Sequence, residues 1–231
     1  MFHNDAYLPV LGKKHPHALG KCANLMWSEI WDKVGPMADQ VLNKGEQIYA
    51  KDLLLLLGRK GFSEETYFTF SYSPIPNDYG GVGGLFCACN EETEKVLRQR
   101  RLKTLKDISE LTVRLRSVEE VYQTSVKVIN ENEHDIPFSL LYILSDDMRE
   151  ARLEGNTGFS KGIPEEIEHV INISDGKLIW PFHEVISSGK AAYIENFKGI
   201  HFPGGPWKES ANRVTIIPIQ RSGNDRLAGF L

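Results

Sequence analysis

The stretch from Asn90 to Arg116 constrains this chain most, because it holds no Gly or Pro and separates two regions of different pattern. Its positions at 3-4 spacing are mostly apolar: Leu97, Arg101, Thr104, Ile108, Leu111, Leu115, Val118 and Tyr122. Such spacing is typical of the seam of a two-stranded coiled coil. It predicts a helix that connects two domains and joins two subunits. The alternative is a single amphipathic helix packed on its own domain.

The length of 231 residues, with this helix in mid-chain, favours two domains. The formal net charge of −4 gives no general attraction to nucleic acid. The basic run within the helix, from Glu94 to Arg116, is typical of a solvated helix face. Three cysteines cannot form a disulfide framework and fit a reducing cytoplasm. The first twelve residues lack the basic and apolar segments expected of a signal peptide, and no apolar run is long enough to span a membrane.

The region before the helix changes from helical to strand periodicity. Helical spacing runs over residues 25–42, where Gly35-Pro36 predicts a break, and Gly45 predicts a helix end. Further along, IYAKDLLLLL predicts a strand, and TYFTFSYS predicts a second strand with Phe68 and Phe70 on one face. Pro74 and Pro76 are expected to end that strand, and VGGLFCAC to return as its partner after a glycine-containing turn.

The order of these elements resembles a PAS domain, as found before a GAF domain in bacterial sensor histidine kinases. The resemblance rests on N-D-A-Y entering a helix, L-G-K at its end, the hairpin ETYFTFSYSPI and GGVGGLFC, and the closing N-E-E-T-E. In that family the hairpin feeds a signalling helix through an Asp-x-Thr-like junction, where this chain has Asn90-Glu91-Glu92-Thr93 and the Asp is replaced. The first strand of the PAS sheet is missing here, so the 83–89 strand is expected to expose unpaired backbone groups.

The region after the helix opens with Ser117-Val118-Glu119-Glu120, a capping box that starts a new helix. FSLLYIL predicts a strand, residues 164–170 a short helix, PFHEVISSG a helix, and AAYIEN a brief strand. The last residues predict two strands around Ser222-Gly223-Asn224-Asp225. This pattern resembles a GAF domain whose closing strand and C-terminal helix are missing.

The sequence therefore predicts an α+β fold with two sensory domains joined by an amphipathic signalling helix. The predicted boundaries are 1–92 for a PAS-like domain, 93–116 for the helical linker and 117–231 for a GAF-like domain. Both domains are expected to be truncated.

Two patterns in the sequence resemble chemical sites, a metal site and a phosphate loop, and each also has a structural explanation. His3, His15, His17 and Cys22 lie close in sequence, and Cys87-x-Cys89 lies on a strand, but no C-x-x-C or H-E-x-x-H motif is present. Cys87 and Cys89 are expected to face one side as a small core pair, and no metal site is predicted. The glycine-rich run 80–84 precedes a strand without G-K-[ST], so it predicts a hairpin turn and not a phosphate loop.

A small-molecule pocket is the site that PAS and GAF folds usually carry. The residues that can line one are Trp27, Trp31, Phe68 and Phe70 in the first domain, and Phe138, Tyr142 and Trp180 in the second. A packed core explains the same residues. The flavin pattern G-x-N-C-R is absent, no Cys after Cys89 can attach a bilin, and ENFKG is not the cyclic-nucleotide motif. The cofactor is left open, and no catalytic residue is singled out.

The resemblance implies the sensory input part of a signal-transduction protein, a two-component sensor histidine kinase whose kinase domain lies outside this chain. It implies a cytoplasmic homodimer through the seam Leu97, Ile108, Leu111 and Leu115, with no enzymatic activity, nucleic acid or membrane span in this chain. The alternatives are the regulatory module of a phosphatase or cyclase, and a stand-alone ligand-binding module.

Overall fold

The chain divides into two compact units, residues Met1–Gln99 and Arg100–Leu231. The computed structural model describes residues 1–113, 115–175, 179–195, 200–207, 209–221, 223 and 226–231. In both units α-helices accompany antiparallel strands, which confirms the α+β class. No helix in these described ranges has the length and apolar character needed to cross a bilayer. The predicted domain boundaries stay predictions.

The first unit begins with the helices α1 (Leu8–Leu11), α2 (Ala23–Met26) and α3 (Trp31–Lys44), with three short 3-10 turns between and before them. The break predicted at Gly35-Pro36 is wrong, because Pro36 lies inside α3. Gly35 has no Cβ, which removes the clash that a proline makes with the Cβ of the residue before it. The helix ends at Gly45, which has the left-handed conformation predicted for a C-terminal cap.

Three antiparallel strands form the sheet of the first unit, all of whose residues are described. They are β1 (Ile48–Leu57), β2 (Glu64–Pro76) and β3 (Val82–Glu91), in the order β1-β2-β3. Phe68 and Phe70 are buried on the face that also packs Val34 of α3, as their alternation predicted. Among the strands of this unit, β3 pairs only with β2 and so forms one edge of the sheet.

The second strand continues past the point where its prolines were expected to end it. Pro74 lies opposite Leu85 of β3, whereas the last pair between β1 and β2 is Ile48 with Tyr72. Beyond Tyr72 the strand has a partner on one side only. A proline is tolerated there because its missing N–H need not serve a second neighbour.

Helix α4 (Thr93–Thr112) is shorter than the run that predicted it. At the N-terminal end, Asn90 and Glu91 belong to β3. At the C-terminal end, the expected linker residues 113, 115 and 116 lie outside the helix, and residue 114 is outside the described ranges. The following residue, Ser117, is extended and caps α5 (Val118–Asn130) with Glu120, which confirms the capping box. The chain must leave the helical conformation to form that cap.

The second unit has a five-stranded sheet and a separate strand pair among its described residues. The sheet order is β6-β5-β4-β10-β9, and β7 pairs with β8. The bounds of these elements are β4 (Ser139–Leu144), β5 (Glu150–Thr157), β6 (Val170–Asn172), α6 (Phe182–Ser188), β7 (Ala192–Glu195), β8 (Arg213–Ile216), β9 (Pro218–Gln220) and β10 (Leu227–Phe230).

Helix α5 and a large apolar cluster cover opposite faces of this sheet. On the α5 face, a Cβ added to Gly155 would lie 2.5 Å from Cγ2 of Val126, so the helix approaches β5 closely. On the other face, Leu140, Tyr142 and Leu144 alternate along β4 into the cluster that also holds Phe182 of α6. The site described below lies on this second face.

Two predictions for this unit are wrong. The predicted helix over 164–170 is a single turn, in which the N–H of Ile167 donates to the carbonyl of Pro164, and Val170 starts β6 by pairing with Arg152. The C-terminal residues form three strands, because Ile217 leaves the β7–β8 pair and bonds to Leu231 instead. In the turn predicted over 222–225, only Gly223 belongs to the described residues, and 196–199 of ENFKG also lie outside them.

Candidate functional site

A cavity of about 400 Å³ lies in the second unit, on the face of the sheet opposite α5. Its walls come from the start of β4, from β8 and from the end of β10, with Trp180 and Phe182 beside the start of α6. The volume lies within the range of small-molecule sites, roughly 300–1,000 Å³.

The three residues proposed from sequence for this domain, Phe138, Tyr142 and Trp180, all line the cavity. Two further aromatic residues, Phe182 and Phe230, line it as well. Their rings are stacked with centroids 4.2 Å apart, and Tyr142 meets Phe182 edge-on at 5.3 Å. Sequence reasoning missed both residues because each lies on an element whose buried side was not assigned. The Trp-Pro-Phe start of α6 was the available signal for Phe182.

Tyr142, one of the lining residues, is held by a hydrogen bond to a residue outside the cavity. The hydroxyl of Tyr142 donates to the carbonyl of Glu168 at 2.7 Å. Burial raises the pKa of Tyr142 to about 12, so the phenol stays neutral at physiological pH. Phe138 stacks on Phe202 at 4.8 Å, which anchors the described loop 200–207 to the same wall.

Asp135 is the acidic residue that lines the cavity, and it is bonded to helix α4. Arg100 of α4 donates from Nε to Oδ2 at 2.9 Å and from Nη2 to Oδ1 at 2.7 Å. Burial by itself would raise the pKa of Asp135, but the hydrogen bonds and charge of Arg100 outweigh it and lower that pKa. Asp135 is therefore ionised and compensated, and it leaves no free charge for a ligand.

A further link joins α4 to the residues that follow α5. The side-chain amide of Asn132 donates to Oγ1 of Thr104 at 3.0 Å and to Asp135 at 3.3 Å. Asn132 is only 5% exposed, and its Oδ1 has no hydrogen-bond partner among the described residues. Arg100 and Thr104 thus tie the middle of α4 to the segment that forms one cavity wall.

Arg213, which also lines the cavity, is compensated as well. It forms an ion pair with Glu195, and its guanidinium lies 5.2 Å from the ring centroid of Tyr193. With both charged lining side chains paired and five aromatic rings in the walls, the cavity suits a neutral, planar, mainly apolar ligand.

The cavity that the aromatic candidates of the first unit line is much smaller. Trp27, Phe68 and Phe70 line a cavity of about 60 Å³, which has room for a few water molecules only. Trp31 is not among its lining residues. A Cβ at Gly35 would lie 2.6 Å from Nε1 of Trp31, so this indole packs along its own helix.

The strand-to-helix junction of the first unit is a network around Arg59, which is 6% exposed. Arg59 bonds both carboxylate oxygens of Glu91 at 2.7 Å and bonds Glu64 at 2.8 Å. Thr93, the first residue of α4, donates to Glu91 at 2.9 Å and accepts the N–H of Tyr67 at 3.0 Å. Glu91 therefore supplies the carboxylate that joins the end of β3 to the start of α4.

The helix residues predicted to form a seam differ in how far their side chains are exposed to solvent. Leu97 and Ile108 are half-buried, Leu111 is 52% exposed, and Leu115 lies beyond the helix end. Leu102 and Leu105, which the seam did not include, are 65% and 63% exposed.

The remaining sequence candidates are the metal ligands, the cysteine pair and the glycine-rich run. Across the described residues there is no group of three or more His, Cys, Asp or Glu side chains placed to hold a metal ion. The predicted core pair is wrong, since Cys87 is exposed and Cys89 half-buried. The glycine-rich run 80–84 lies at the β2–β3 hairpin, as predicted.

No model of a protein family matches the chain, and no curated protein matches it.

Proposed function

We propose that this chain is the sensory input module of a signal-transduction protein, with a PAS-like first unit and a GAF-like second unit. The observation that carries the proposal is that Asp135, a wall residue of the 400 Å³ cavity, is bonded to Arg100 of α4. A ligand in the cavity acts on the segment that holds this helix. The chain has no catalytic activity of its own.

The mechanism is a two-state shift of helix α4. A ligand that contacts Phe138 and its neighbours favours one position of the 135–140 segment. Arg100 and Thr104 follow that segment because Asp135 and Asn132 hold them. A ligand shifts the equilibrium only by its difference in affinity for the two positions.

The first unit supports the PAS-like assignment by its element order. Short helices precede an antiparallel hairpin, and the last strand leads within two residues into α4. Glu91 and Thr93 join the strand end to the helix start. In the second unit, α5 on one face of a five-stranded antiparallel sheet and a cavity on the other support the GAF-like assignment.

The partners follow from the same proposal. Two copies associate through α4 in the cytoplasm, and the output domain lies outside this chain, a histidine kinase in the leading form. In the alternative, the same cavity serves a phosphatase or cyclase as the regulated enzyme. It could equally belong to a stand-alone ligand-binding module. Neither a nucleic acid nor a membrane partner is proposed.

The test uses indole as a neutral planar probe for the 231-residue chain. We expect saturable binding by calorimetry, with a changed hydrogen-exchange rate in peptides covering residues 100–112. Val214 lines the cavity, so Val214→Trp is expected to abolish binding by filling it. Val170→Trp, at an exposed position on β6, is the matched control and retains binding.

Asp135→Asn separates the cavity from the helix. This variant is expected to bind indole while the exchange of residues 100–112 no longer responds. Indole binding that leaves the wild-type helix unchanged rules out the coupling, and no saturable binding at all rules out the cavity as a site for this ligand class.

A further inference from the structure

Cys87 and Cys89 lie on the same face of strand β3, at the edge of the sheet of the first unit. Cys87 is opposite Tyr72 and Cys89 opposite Phe70, so the two thiols occupy successive positions on one side. Both line the small cavity of about 60 Å³. This volume is too small for an organic cofactor, but it is sufficient for a single ion.

The two thiols are neighbours on that face, separated by one residue of β3. Thiolates are the form of cysteine that binds metals.

The surroundings decide which ion can use such a pair. The other residues that line this cavity are apolar or aromatic, with the hydroxyls of Tyr7 and Tyr72 as polar groups and no carboxylate or imidazole. Zinc sites take three or four protein ligands, and calcium and magnesium take oxygen ligands. A soft monovalent ion with a preference for thiolate and a low coordination number is the class that two cysteines can satisfy.

We propose that Cys87 and Cys89 together bind a single Cu(I) ion. Each thiol that is still protonated releases its proton to solvent, and each sulfur then donates an electron pair to copper. Copper stays in the +1 state, and no electron is transferred. The bound centre carries one negative charge, which the open edge of β3 leaves partly in contact with water.

The site stands independently of the cavity in the second unit. Its position nevertheless has a structural consequence. Glu91 follows Cys89 on the same face of β3, just before α4, and bonds Arg59 there. A copper ion that joins Cys87 to Cys89 restrains the strand immediately before this junction.

The test is an anaerobic competition between the reduced chain and bicinchoninate for Cu(I), followed by the visible absorbance of the copper–bicinchoninate complex. We expect the wild-type chain to withdraw a single copper ion. Cys22 is exposed and does not line the cavity, so Cys22→Ser is the matched control and retains this affinity. Loss of a direct ligand in Cys87→Ser or Cys89→Ser is expected to weaken binding by more than the ~10–100-fold that loss of an outer-shell partner causes.

A second measurement needs no variant and covers the case in which a serine variant fails to fold. Iodoacetamide is added to the chain with and without Cu(I), and peptide mass spectrometry reads each cysteine. Copper is expected to protect Cys87 and Cys89 while Cys22 reacts as before. The proposal is overturned if Cys22 is protected instead, if the two serine variants keep wild-type affinity, or if copper binds only between two chains.

Discussion

Arg100 and Asp135 are thirty-five residues apart in sequence and meet through two hydrogen bonds of 2.9 and 2.7 Å. Their side chains are only 18% and 14% exposed, so water screens the pair poorly. The pair fixes the middle of α4 to the segment that begins the cavity wall. It is the contact on which the proposed signal depends.

Asp135→Asn is expected to lower the stability of the second unit by about 2 kcal/mol, because Arg100 loses its charged acceptor. Hydrogen exchange of residues 100–112 is expected to rise in the same variant. Arg101 lies 3.7 Å from Asp135 but is mostly exposed, so Arg101→Ala is the control and is expected to change stability by less than about 1 kcal/mol. Equal effects of the two variants would contradict the importance of the Arg100 pair.

The same pair makes stability depend on acid pH. The pKa of Asp135 is lowered in the folded chain, so its contribution is present above the unfolded value of about 3.9 and is lost as the pH falls through the folded pKa. The melting temperatures of wild type and Asp135→Asn are therefore expected to differ most above about pH 5 and to converge below about pH 4. Circular dichroism melting curves across this pH range measure the difference in melting temperature. A difference that persists unchanged at low pH would contradict a stabilising role of the Arg100–Asp135 pair.

Arg59→Ala is expected to destabilise the first unit by about 3–5 kcal/mol, since Glu91 loses its counter-ion and Glu64 keeps only the exposed Lys60. The neighbouring Lys60 also contacts Glu64, but its side chain is 58% exposed. Lys60→Ala is therefore the matched control, with an expected loss below about 1 kcal/mol. Urea unfolding followed by tryptophan fluorescence compares the two, and a small loss for Arg59→Ala would show that the junction tolerates its absence.

Gly155→Ala tests the close approach of α5 to β5. The added methyl group would lie 2.5 Å from Cγ2 of Val126, and relief of this overlap is expected to cost about 1–3 kcal/mol. Val126→Ala removes the obstructing methyl groups, so the double variant is expected to recover part of the loss. A double-mutant cycle from thermal unfolding measures this coupling, and strictly additive effects would exclude the contact.

The proposed dimer is tested on the helix itself. Replacement of both Ile108 and Leu111 by Lys is expected to convert a dimer into a monomer, which halves the mass found by light scattering. Leu102 and Leu105 lie on the same helix but outside the predicted seam, so the pair Leu102→Lys and Leu105→Lys is the matched control that keeps the dimer. A wild-type chain that is monomeric at high concentration, unchanged by the first pair, would refute the seam.

The features that sequence alone determined are those set by neighbours in the chain. The Ser117 cap needs only Glu120 three residues later, and Gly45 ends α3 because it alone adopts the left-handed conformation at no steric expense. The alternation of Phe68 and Phe70 marks the buried face of β2 because side chains alternate along any strand. The aromatic candidates Phe138, Tyr142 and Trp180 were also found in this way.

Tertiary structure decided the features whose partners are far apart in sequence. Pro74 continues a strand because β1 reaches only as far as Tyr72 along β2. Val170 belongs to a strand because it pairs with Arg152. The cavity needs Phe230 beside Phe182, and Asp135 becomes a link to α4 only where Arg100 reaches it. Local pattern cannot reveal these contacts, because the free energy that selects them comes from burial and pairing between segments that the fold brings together.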